Sequence, residues 1–305
     1  MIYYKIGNVA IRKKGVLAPM LEYTNNSFRD LCEYYHCGFL FSEMIHINKI
    51  INAEKLPKIS QTPTAIQLVG DFRDRLNTFS AIDVIASKKK YKIIDFNFGC
   101  PSRKVISTKS GAFLLKHRAA AFEVIKEIKE TTNFIVTVKT RLGYDKNEIN
   151  KMSLELEKIG VDALSVHGRL ASENYATKSD FDSVRSIKKN ISCPLIYNGD
   201  VNSNNFESFL KFEEFSDLMI GRAALKDPQV FSKINCFVNG KEFFQKSKID
   251  VIFDYLKFAN KNKESISAQK LVLLQLSNGL PNAKIIKNKI CMSKTIDDLL
   301  NILNK

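Results

Sequence analysis

Eight short apolar segments, separated over much of the chain by amphipathic stretches, restrict the fold more than any other feature of this sequence. The apolar segments lie at 16–20, 38–42, 64–68, 93–96, 135–139, 163–167, 195–198 and 218–220. Apolar residues recur at helical spacing in 28–35, 119–130, 148–159, 181–189 and 206–212. Strands buried on both faces read as short apolar runs, and strands that alternate with helices form parallel sheets. The pattern predicts an α/β protein with a closed (β/α)₈ barrel, the TIM barrel.

The sequence divides into three expected regions. Residues 1–14 are the expected N-terminal hairpin extension, because residues 3–14 alternate polar and apolar side chains around Gly7-Asn8. Residues 15–234 contain the barrel, in which Asn26-Ser27 is the expected cap of the first helix. Residues 235–305 lack strand patterns and predict a helical domain, interrupted at Asn278-Gly279-Leu280-Pro281. An open doubly wound sheet is the alternative for the central region.

The charge of the chain favours a polyanionic partner. Lys and Arg together number 47 against 32 Asp and Glu, a formal net charge of +15. The region 235–305 carries twelve Lys and no Arg against six acidic residues. Basic side chains that neutralise phosphates release counterions, so this surface fits a nucleic acid. A lysine-rich background composition is the alternative explanation.

Cysteine usage and the N-terminus indicate a cytoplasmic protein. The six cysteines, at positions 32, 37, 100, 193, 236 and 291, form no C-x-x-C pair and have no His nearby at zinc-ligand spacing. We therefore expect free thiols and no structural zinc. The first residues lack a signal-peptide pattern, and no apolar run reaches the about 18 residues of a membrane span. A monomer without membrane contact is the expected state.

One thiol follows directly on a predicted strand. Gly99-Cys100-Pro101 ends the segment 93–96, and neither Gly nor Pro suits the interior of a continuing strand. In a closed barrel the C-terminal ends of all strands face one cleft, so the residues at these ends should meet there. Those residues are Pro19, Met20, Glu43, Gln67, Asn97, Cys100, Lys139, Arg141, His167, Arg169, Asn198, Gly199, Asp200, Gly221 and Arg222.

The residues at the strand ends suit an anionic, heteroaromatic ligand. They include many hydrogen-bond donors and cations but few of the carboxylates that bind metal ions, so no metal is expected. The loops after the seventh and eighth strands are the usual phosphate site of such barrels, and they hold Asn198-Gly199-Asp200 and Gly221-Arg222. Lys139 and His167 are candidates to donate to the ring of a flavin. Each residue alone has a structural explanation, but their placement at successive strand ends favours a shared site.

These residues occur in motifs that resemble those of the tRNA-dihydrouridine synthase family. The similarity covers about residues 15–230, and Gly279-Leu280-Pro281-Asn282-Ala283 resembles the helical RNA-binding domain of that family. The motifs are Ala18-Pro19-Met20 with Ser27-Phe28-Arg29, Asp95-Phe96-Asn97-Phe98-Gly99-Cys100-Pro101 with Ser110-Gly111-Ala112, Val138-Lys139-Thr140-Arg141-Leu142-Gly143, His167-Gly168-Arg169, Asn198-Gly199-Asp200 and Gly221-Arg222.

The resemblance implies an FMN-dependent enzyme that uses NADPH to reduce the C5–C6 double bond of uridines in tRNA. Hydride would pass from flavin N5 to C6, and Cys100 would give a proton to C5. Asn97, Arg141 and Tyr175 would contact uracil or RNA. The residues implied to surround FMN are Pro19, Met20, Leu21, Gln67, Lys139, His167, Asn198, Gly199, Asp200, Gly221 and Arg222.

Elementary thiol chemistry agrees with an acid role for Cys100. An unperturbed thiol has a pKa of about 8.5, and burial in apolar surroundings raises that pKa, so a buried Cys100 would hold its proton at neutral pH. A nucleophilic cysteine would prefer an adjacent His base, and none lies near Cys100 in the sequence. Two other functions remain open: a flavin barrel that reduces a free pyrimidine, similar to dihydroorotate dehydrogenase, and an RNA-binding protein without catalysis.

Overall fold

The computed structural model describes residues 1–295 and Asp298, and within them eight parallel strands form a barrel. Neighbouring strands pair in the order β3-β10-β9-β8-β7-β6-β5-β4, and a bridge between Val16 and Phe39 joins the first strand to the last. The predicted (β/α)₈ barrel is confirmed, and the open doubly wound sheet is excluded. The barrel strands are β3 Val16–Leu17, β4 Leu40–His46, β5 Thr64–Val69, β6 Ile93–Asn97, β7 Ile135–Arg141, β8 Ala163–His167, β9 Leu195–Asn198 and β10 Asp217–Ile220.

Helices connect the strands, and further helices follow the barrel. The cap of the first helix differs from the prediction, because Asn25 rather than Asn26-Ser27 accepts the backbone N–H of Phe28, at 2.8 Å. Short 3₁₀ helices span Gly111–Lys116 and Ile187–Asn190. The α-helices are α1 Asn26–Tyr34, α2 Ile47–Ile51, α3 Arg75–Ser87, α4 Arg103–Ile106, α5 Arg118–Thr131, α6 Ile149–Ile159, α7 Phe181–Ser186, α8 Phe206–Leu210, α9 Arg222–Lys226, α10 Val230–Val238, α11 Lys248–Lys261, α12 Ile266–Leu276 and α13 Ala283–Met292.

The barrel strands separate two apolar layers because successive side chains of a strand point to opposite faces. One layer lies between the strands and the surrounding helices and includes Ile94 and Val136. The other fills the barrel interior and includes Ile93 and Ile135, their immediate neighbours in sequence. Both faces of each strand are therefore buried, which explains why these segments read as short apolar runs.

A small hairpin closes the N-terminal end of the barrel. Its strands, β1 Tyr4–Ile6 and β2 Val9–Ile11, pair antiparallel around the Gly7-Asn8 turn. Ile6 and Ile11 belong to the same buried cluster as the residues of the barrel interior. With this end covered by apolar residues, the opposite end of the barrel is the one available for a site.

The C-terminal helices pack onto the outside of the barrel. Helix α10 runs across the predicted division between residues 234 and 235, and α11 lies against α1. The hydroxyl of Tyr35, which follows α1, donates to Asp254 of α11 at 2.9 Å. In the part of the chain that the structure describes, no helix is both long and apolar enough to span a membrane.

Asp254 should stabilise this contact in a pH-dependent way. Burial alone would raise the pKa of Asp254, but hydrogen bonds from Lys246, Tyr35 and Lys257 outweigh burial and lower that pKa. A carboxylate with a lowered pKa stabilises the fold fully above the ordinary Asp pKa of about 3.9, and this contribution disappears as the pH falls through the folded-state value. Asp254→Ala should therefore lower the free energy of unfolding by about 1–3 kcal/mol at pH 7.

Urea unfolding of wild type and variant at pH 7 and near pH 3 measures this contribution. The difference between the two proteins should shrink at the lower pH, since the unfolded wild-type chain then binds a proton at Asp254 that the folded protein, with its lowered pKa, resists. The exposed Asp83 of α3 provides a matched control, and Asp83→Ala should change the stability little at either pH. A difference for Asp254→Ala that is the same at both pH values would contradict the account.

Candidate active site

The polar residues of the site arise from the inward-facing positions of the barrel strands. Along β6, β7 and β8 these positions begin with apolar residues near the hairpin and become polar toward the C-terminal ends. The strands are in register, so Asp95 pairs with Thr137 and Asn97 with Lys139. The sequence of inward positions is Ile93, Asp95 and Asn97 on β6, Ile135, Thr137, Lys139 and Arg141 on β7, and Ala163, Ser165 and His167 on β8.

A cleft of about 770 Å³ opens at this end of the barrel. This volume falls within the range of about 300–1,000 Å³ that is typical of small-molecule and cofactor sites. Nearly all the residues predicted for the site line the cleft: Pro19, Met20, Leu21, Asn97, Cys100, Lys139, Arg141, His167, Tyr175, Asn198, Gly199, Asp200, Gly221 and Arg222. Gln67 and Glu43 are the exceptions. Gln67 is fully buried and lies behind Asn97, and Glu43 of β4 does not line the cleft.

Cys100 lies on a tightly packed loop at the edge of the cleft. Its carbonyl accepts the backbone N–H of Ala112 at 3.0 Å, which brings the Ser110-Gly111-Ala112 segment against it. Gly111 has φ +60°, and a Cβ there would lie 2.8 Å from the Cys100 carbonyl oxygen, so only glycine fits. The cysteine is half-buried and lines the cleft. The burial considered for Cys100 is therefore only partial, and its acid role stays a prediction.

Asn97 holds the backbone of this loop. Its side-chain oxygen accepts the N–H groups of Gly99 at 3.0 Å and of Cys100 at 2.9 Å. Its amide nitrogen donates to the side-chain oxygen of Gln67 at 2.9 Å. The side chain is almost completely buried, and its oxygen accepts hydrogen bonds from the protein's own backbone. In this structure Asn97 positions Cys100, and the uracil contact predicted for it stays a prediction.

Arg141 also holds the loop of Cys100, through hydrogen bonds to backbone carbonyls. Its Nε donates to the Gly99 carbonyl at 2.7 Å, and its Nη1 donates to the Leu170 carbonyl at 2.8 Å. The side chain is buried and joins the loop after β6 to the loop after β8. Arg141 was predicted to contact uracil or RNA, and these bonds occupy two nitrogens of its guanidinium.

Lys139 is a half-buried cation on the cleft wall. Its Nζ donates to the side-chain oxygen of Asn198 at 3.3 Å, while the Asn198 amide nitrogen donates to the Met219 carbonyl at 2.9 Å. Burial and the nearby charge of Arg141 lower the pKa of Lys139 to about 8. The ammonium is thus still largely protonated at neutral pH, and it faces the cleft beside the loop of Cys100.

Arg169 connects several parts of the site, although only its position at a strand end was predicted from the sequence. Its guanidinium is buried and donates to Asp200 at 2.5 Å and to the Thr177 carbonyl at 2.6 Å. It also lies 2.9 Å from Nε2 of His167. Since Arg can only donate, Nε2 accepts and the proton of the neutral ring is on Nδ1. Burial and the surrounding cations lower the pKa of His167 to about 2, so this imidazole is neutral.

The part of the cleft near the ends of β9 and β10 is lined by cationic and aromatic side chains. Arg222 pairs with Asp200 at 3.2 Å, and its guanidinium carbon lies 4.2 Å from the ring centre of the exposed Tyr175. Burial alone would raise the pKa of Asp200, but its bonds to Arg169 and the Ser179 N–H and the charge of Arg222 lower it. Asp200 therefore orients two arginines. As an anion it would not itself contact a phosphate.

Two glycines next to Asp200 and Arg222 in the chain, Gly199 and Gly221, leave room for a ligand in this part of the cleft. Gly199 has φ +151°, and a Cβ there would lie 2.0 Å from the Ser179 hydroxyl. Gly221 directly precedes Arg222 and lines the cleft opposite Met20. Backbone N–H groups at glycines approach phosphates closely, and arginine adds a fork of donors. These residues have the chemistry that suits a phosphate, and the phosphate site stays a prediction.

Several residues of the site were not predicted from the sequence. Arg169 has a signal, because it directly follows His167-Gly168 at a strand exit. Met44, Tyr23 and Lys226 also line the cleft, but nothing in their local sequence distinguishes them from ordinary packing or surface residues. Within the described residues, no three His, Cys, Asp or Glu side chains come together as a metal site.

Comparisons with known proteins agree with the motifs and the fold. The family model for dihydrouridine synthase (Dus) matches residues 16–281. A probable tRNA-dihydrouridine synthase of Aquifex aeolicus is 30% identical over 94% of this chain and 95% of its own length. A tRNA-dihydrouridine synthase B of Vibrio parahaemolyticus is 32% identical over 77% of this chain and 74% of its own length.

Solved structures with a similar fold have little sequence in common with this chain. Histamine dehydrogenase from Rhizobium sp. 4-9 aligns with a TM-score of 0.59 at 13% identity, over 84% of this chain and 50% of its own. Morphinone reductase in complex with tetrahydroNAD aligns with a TM-score of 0.51 at 11% identity, over 80% and 91%. At these identities the likeness concerns the barrel fold. Together, the match of the family model over most of the chain and the relatives at 30% identity or more show that this chain belongs to the dihydrouridine synthase family.

Proposed function

We propose that this protein is an FMN-dependent tRNA-dihydrouridine synthase, an oxidoreductase that reduces the C5–C6 double bond of uridines in tRNA with NADPH as the electron source. The observation that carries the proposal is the placement of Cys100 at the edge of a cation-lined cleft of cofactor size, in a member of this family. The free cysteines agree with a reducing cytoplasm as its compartment.

The chemistry of the cleft fits FMN. Gly199, Gly221 and Arg222 supply the small residues and the guanidinium that suit a phosphate. Lys139, Asn198 and the neutral His167 present donors that suit the carbonyl oxygens and nitrogens of an isoalloxazine ring. FMN, when bound, supplies the hydride for the reduction. Met20, Pro19 and Leu21 would cover it from the loop after β3.

The residues of this chain would orient the substrate and supply the proton. Cys100, held by Asn97 and Arg141, would give its proton to C5 of the uracil. The ammonium of Lys139 would stabilise negative charge that develops in the cleft, where it is only half-exposed. The exposed ring of Tyr175, backed by Arg222, offers a flat face on which an extruded base can stack.

The basic surface would bind the rest of the tRNA. A uridine inside folded tRNA is inaccessible to a cleft, so it must be extruded into the site while the remaining nucleotides stay outside. The net charge of +15 and the twelve lysines of 235–305 fit contacts with phosphates. We include in this proposal that the C-terminal helices contribute to tRNA binding and that the protein acts as a monomer.

A comparison of substrates tests this function. Purified protein should be yellow, and with NADPH it should form dihydrouridine in tRNA that lacks this modification. Free uracil and orotate should be reduced at least about a hundredfold more slowly, because they lack the phosphate contacts that hold the substrate. Binding of tRNA should weaken steeply as salt is raised from 50 to 200 mM, by about 10³-fold or more if six or more phosphates are contacted.

Two results would favour the other functions. Reduction of free orotate or uracil at the rate seen with tRNA would indicate an enzyme of free pyrimidines. A colourless protein that binds tRNA and reduces nothing when FMN and NADPH are added would indicate an RNA-binding protein. The matching experiment with NADH in place of NADPH determines the preferred electron donor.

A further inference from the structure

A buried carboxylate lies in the barrel interior one layer below the cleft. Asp95 occupies the middle of β6 and is completely buried. Its Oδ2 accepts the side-chain amide of Gln67 at 2.7 Å, and its Oδ1 accepts the hydroxyl of Thr137 at 2.6 Å. It does not line the cleft, and none of the roles described above requires it.

A chain of hydrogen bonds leads from this carboxylate to the loop of Cys100. The amide of Gln67 donates to Asp95 and accepts from the amide nitrogen of Asn97 at 2.9 Å. The side-chain oxygen of Asn97 then accepts the N–H groups of Gly99 and Cys100. Three buried side chains thus connect the barrel interior to the backbone of the reactive cysteine.

The charge of Asp95 gives this chain its direction. An ionised carboxylate can only accept hydrogen bonds, whereas each side-chain amide has a donating and an accepting end and can turn over. With Asp95 at one end, Gln67 must point its nitrogen toward Asp95 and its oxygen toward Asn97. Asn97 must then point its nitrogen toward Gln67 and its oxygen toward the N–H groups of the loop. The carboxylate at one end and the N–H donors of the loop at the other therefore require the same orientation of both amides.

We infer that Asp95 is a positioning residue that fixes the loop of Cys100 through Gln67 and Asn97. The inference takes from the proposed function that Cys100 is the proton donor, but the hydrogen-bond chain is a property of the protein alone. A buried charge is costly to maintain, and a neutral residue would fill the same space. A carboxylate suits this position because it only accepts hydrogen bonds, and the observed orientation of Gln67 and Asn97 requires an acceptor there.

The surroundings of Asp95 allow it to be charged at neutral pH. Burial raises its pKa to about 6, while the hydrogen bonds from Thr137 and Gln67 and the charge of Lys139 act in the opposite direction. Lys139 reaches the cleft from β7, the same strand as Thr137. At pH 7.5 the carboxylate is thus mostly ionised and serves as an acceptor.

Exchange of the charge between Asp95 and Gln67 tests the inference. In Asp95→Asn, the new amide faces Gln67 with either end, so only the loop N–H groups still favour the observed orientation. Gln67 and Asn97 then turn over more readily, which weakens the bonds from Asn97 to the loop. In the double variant Asp95→Asn/Gln67→Glu, the carboxylate at position 67 accepts both from the new amide at position 95 and from Asn97, which restores one direction. Hydrogen exchange of the Gly99 and Cys100 amides, measured by mass spectrometry on the full-length protein, reports the bonds to Asn97 directly.

We expect these two amides to exchange about fivefold faster in Asp95→Asn and to return to within about twofold of wild type in the double variant. Ser165→Ala, at another buried polar position of the barrel interior, is the matched control and should leave their exchange unchanged. Wild-type exchange in Asp95→Asn would overturn the inference. If Asp95→Asn does not fold, the double variant decides, because exchange faster than about twofold over wild type there would equally overturn it.

An activity measurement separates this inference from the proposed function. The exchange experiment needs neither FMN nor tRNA, so it stands even if the substrate is not tRNA. With the proposed function correct, Asp95→Asn should lower kcat for uridine reduction while leaving KM for tRNA within about twofold, since the loop and not the RNA surface is changed. Unchanged kcat together with faster amide exchange would show that the chain holds the loop without positioning Cys100 for catalysis, and would overturn the inference.

Discussion

Replacement of Cys100 by alanine should leave flavin binding intact and lower the rate of uridine reduction by about 10²–10⁴-fold, the range that a positioned acid contributes. The thiol lies on the cleft edge on a loop held by Asn97, Arg141 and Ala112. All three contacts are made by the backbone of the loop, so they survive removal of the thiol. The variant should therefore fold and bind FMN, yet leave C5 without its proton donor.

Stopped-flow reduction and turnover measurements separate the two half-reactions. Flavin reduction by NADPH should proceed in Cys100→Ala at a rate near that of wild type, because the thiol has no part in it. The oxidation of reduced enzyme by tRNA should be the slow step. Cys236→Ala, at a half-buried cysteine of α10 outside the cleft, is the matched control and should behave as wild type. Wild-type turnover in Cys100→Ala would exclude the thiol as the proton donor.

Replacement of Arg169 by methionine should damage both the stability and the site. Its buried guanidinium donates to Asp200, to the Thr177 carbonyl and to His167. Without it, a partly buried carboxylate retains only Arg222 and the Ser179 N–H, and the Thr177 carbonyl loses its partner. We expect the free energy of unfolding to fall by about 2–4 kcal/mol. The affinity for FMN should also fall. Asp200, which lies in the loop after β9 and orients Arg222, would lose its ion pair with Arg169.

Two further variants test whether these effects depend on the planar, buried guanidinium of Arg169. Arg169→Lys keeps the charge but not the planar set of donors, so it should recover only part of the stability. Arg185→Met removes an arginine whose ion pair with Glu214 is only partly buried, and it should change the stability by less than about 1 kcal/mol. Urea unfolding and FMN titration measure both quantities. Equal effects of Arg169→Met and Arg185→Met would contradict the role assigned to Arg169.

The barrel could be predicted because its strands carry a strong and simple signal. Both faces of each strand are buried, so segments such as 135–139 and 163–167 read as apolar runs, and their order along the chain determines the parallel sheet. The cleft followed from the same pattern, since all strand exits of a closed barrel meet at one end. The Gly7-Asn8 hairpin was equally readable, but its position beneath the barrel interior depends on long-range packing of Ile6 and Ile11.

The contacts within the site could not be predicted, because they depend on side chains far apart in sequence. Gln67 lies on a different strand from Asn97, and only the register of the strands shows that it stands behind Asn97 and not in the cleft. Arg169 lies next to His167 in the chain, but its bond to Asp200 joins two loops. The exposure of Cys100 also depends on how the segment around Gly111 returns to it.

The most direct test of the proposed function is the dihydrouridine content of cellular tRNA. A strain that lacks the gene for this protein should lack dihydrouridine at one or more tRNA positions, mapped by mass spectrometry of the isolated tRNAs. Expression of the wild-type protein should restore the modification at those positions, and expression of Cys100→Ala at the same level should not. An unchanged dihydrouridine pattern after loss of every copy of the gene, in a strain with no second enzyme of this family, would contradict the proposed function.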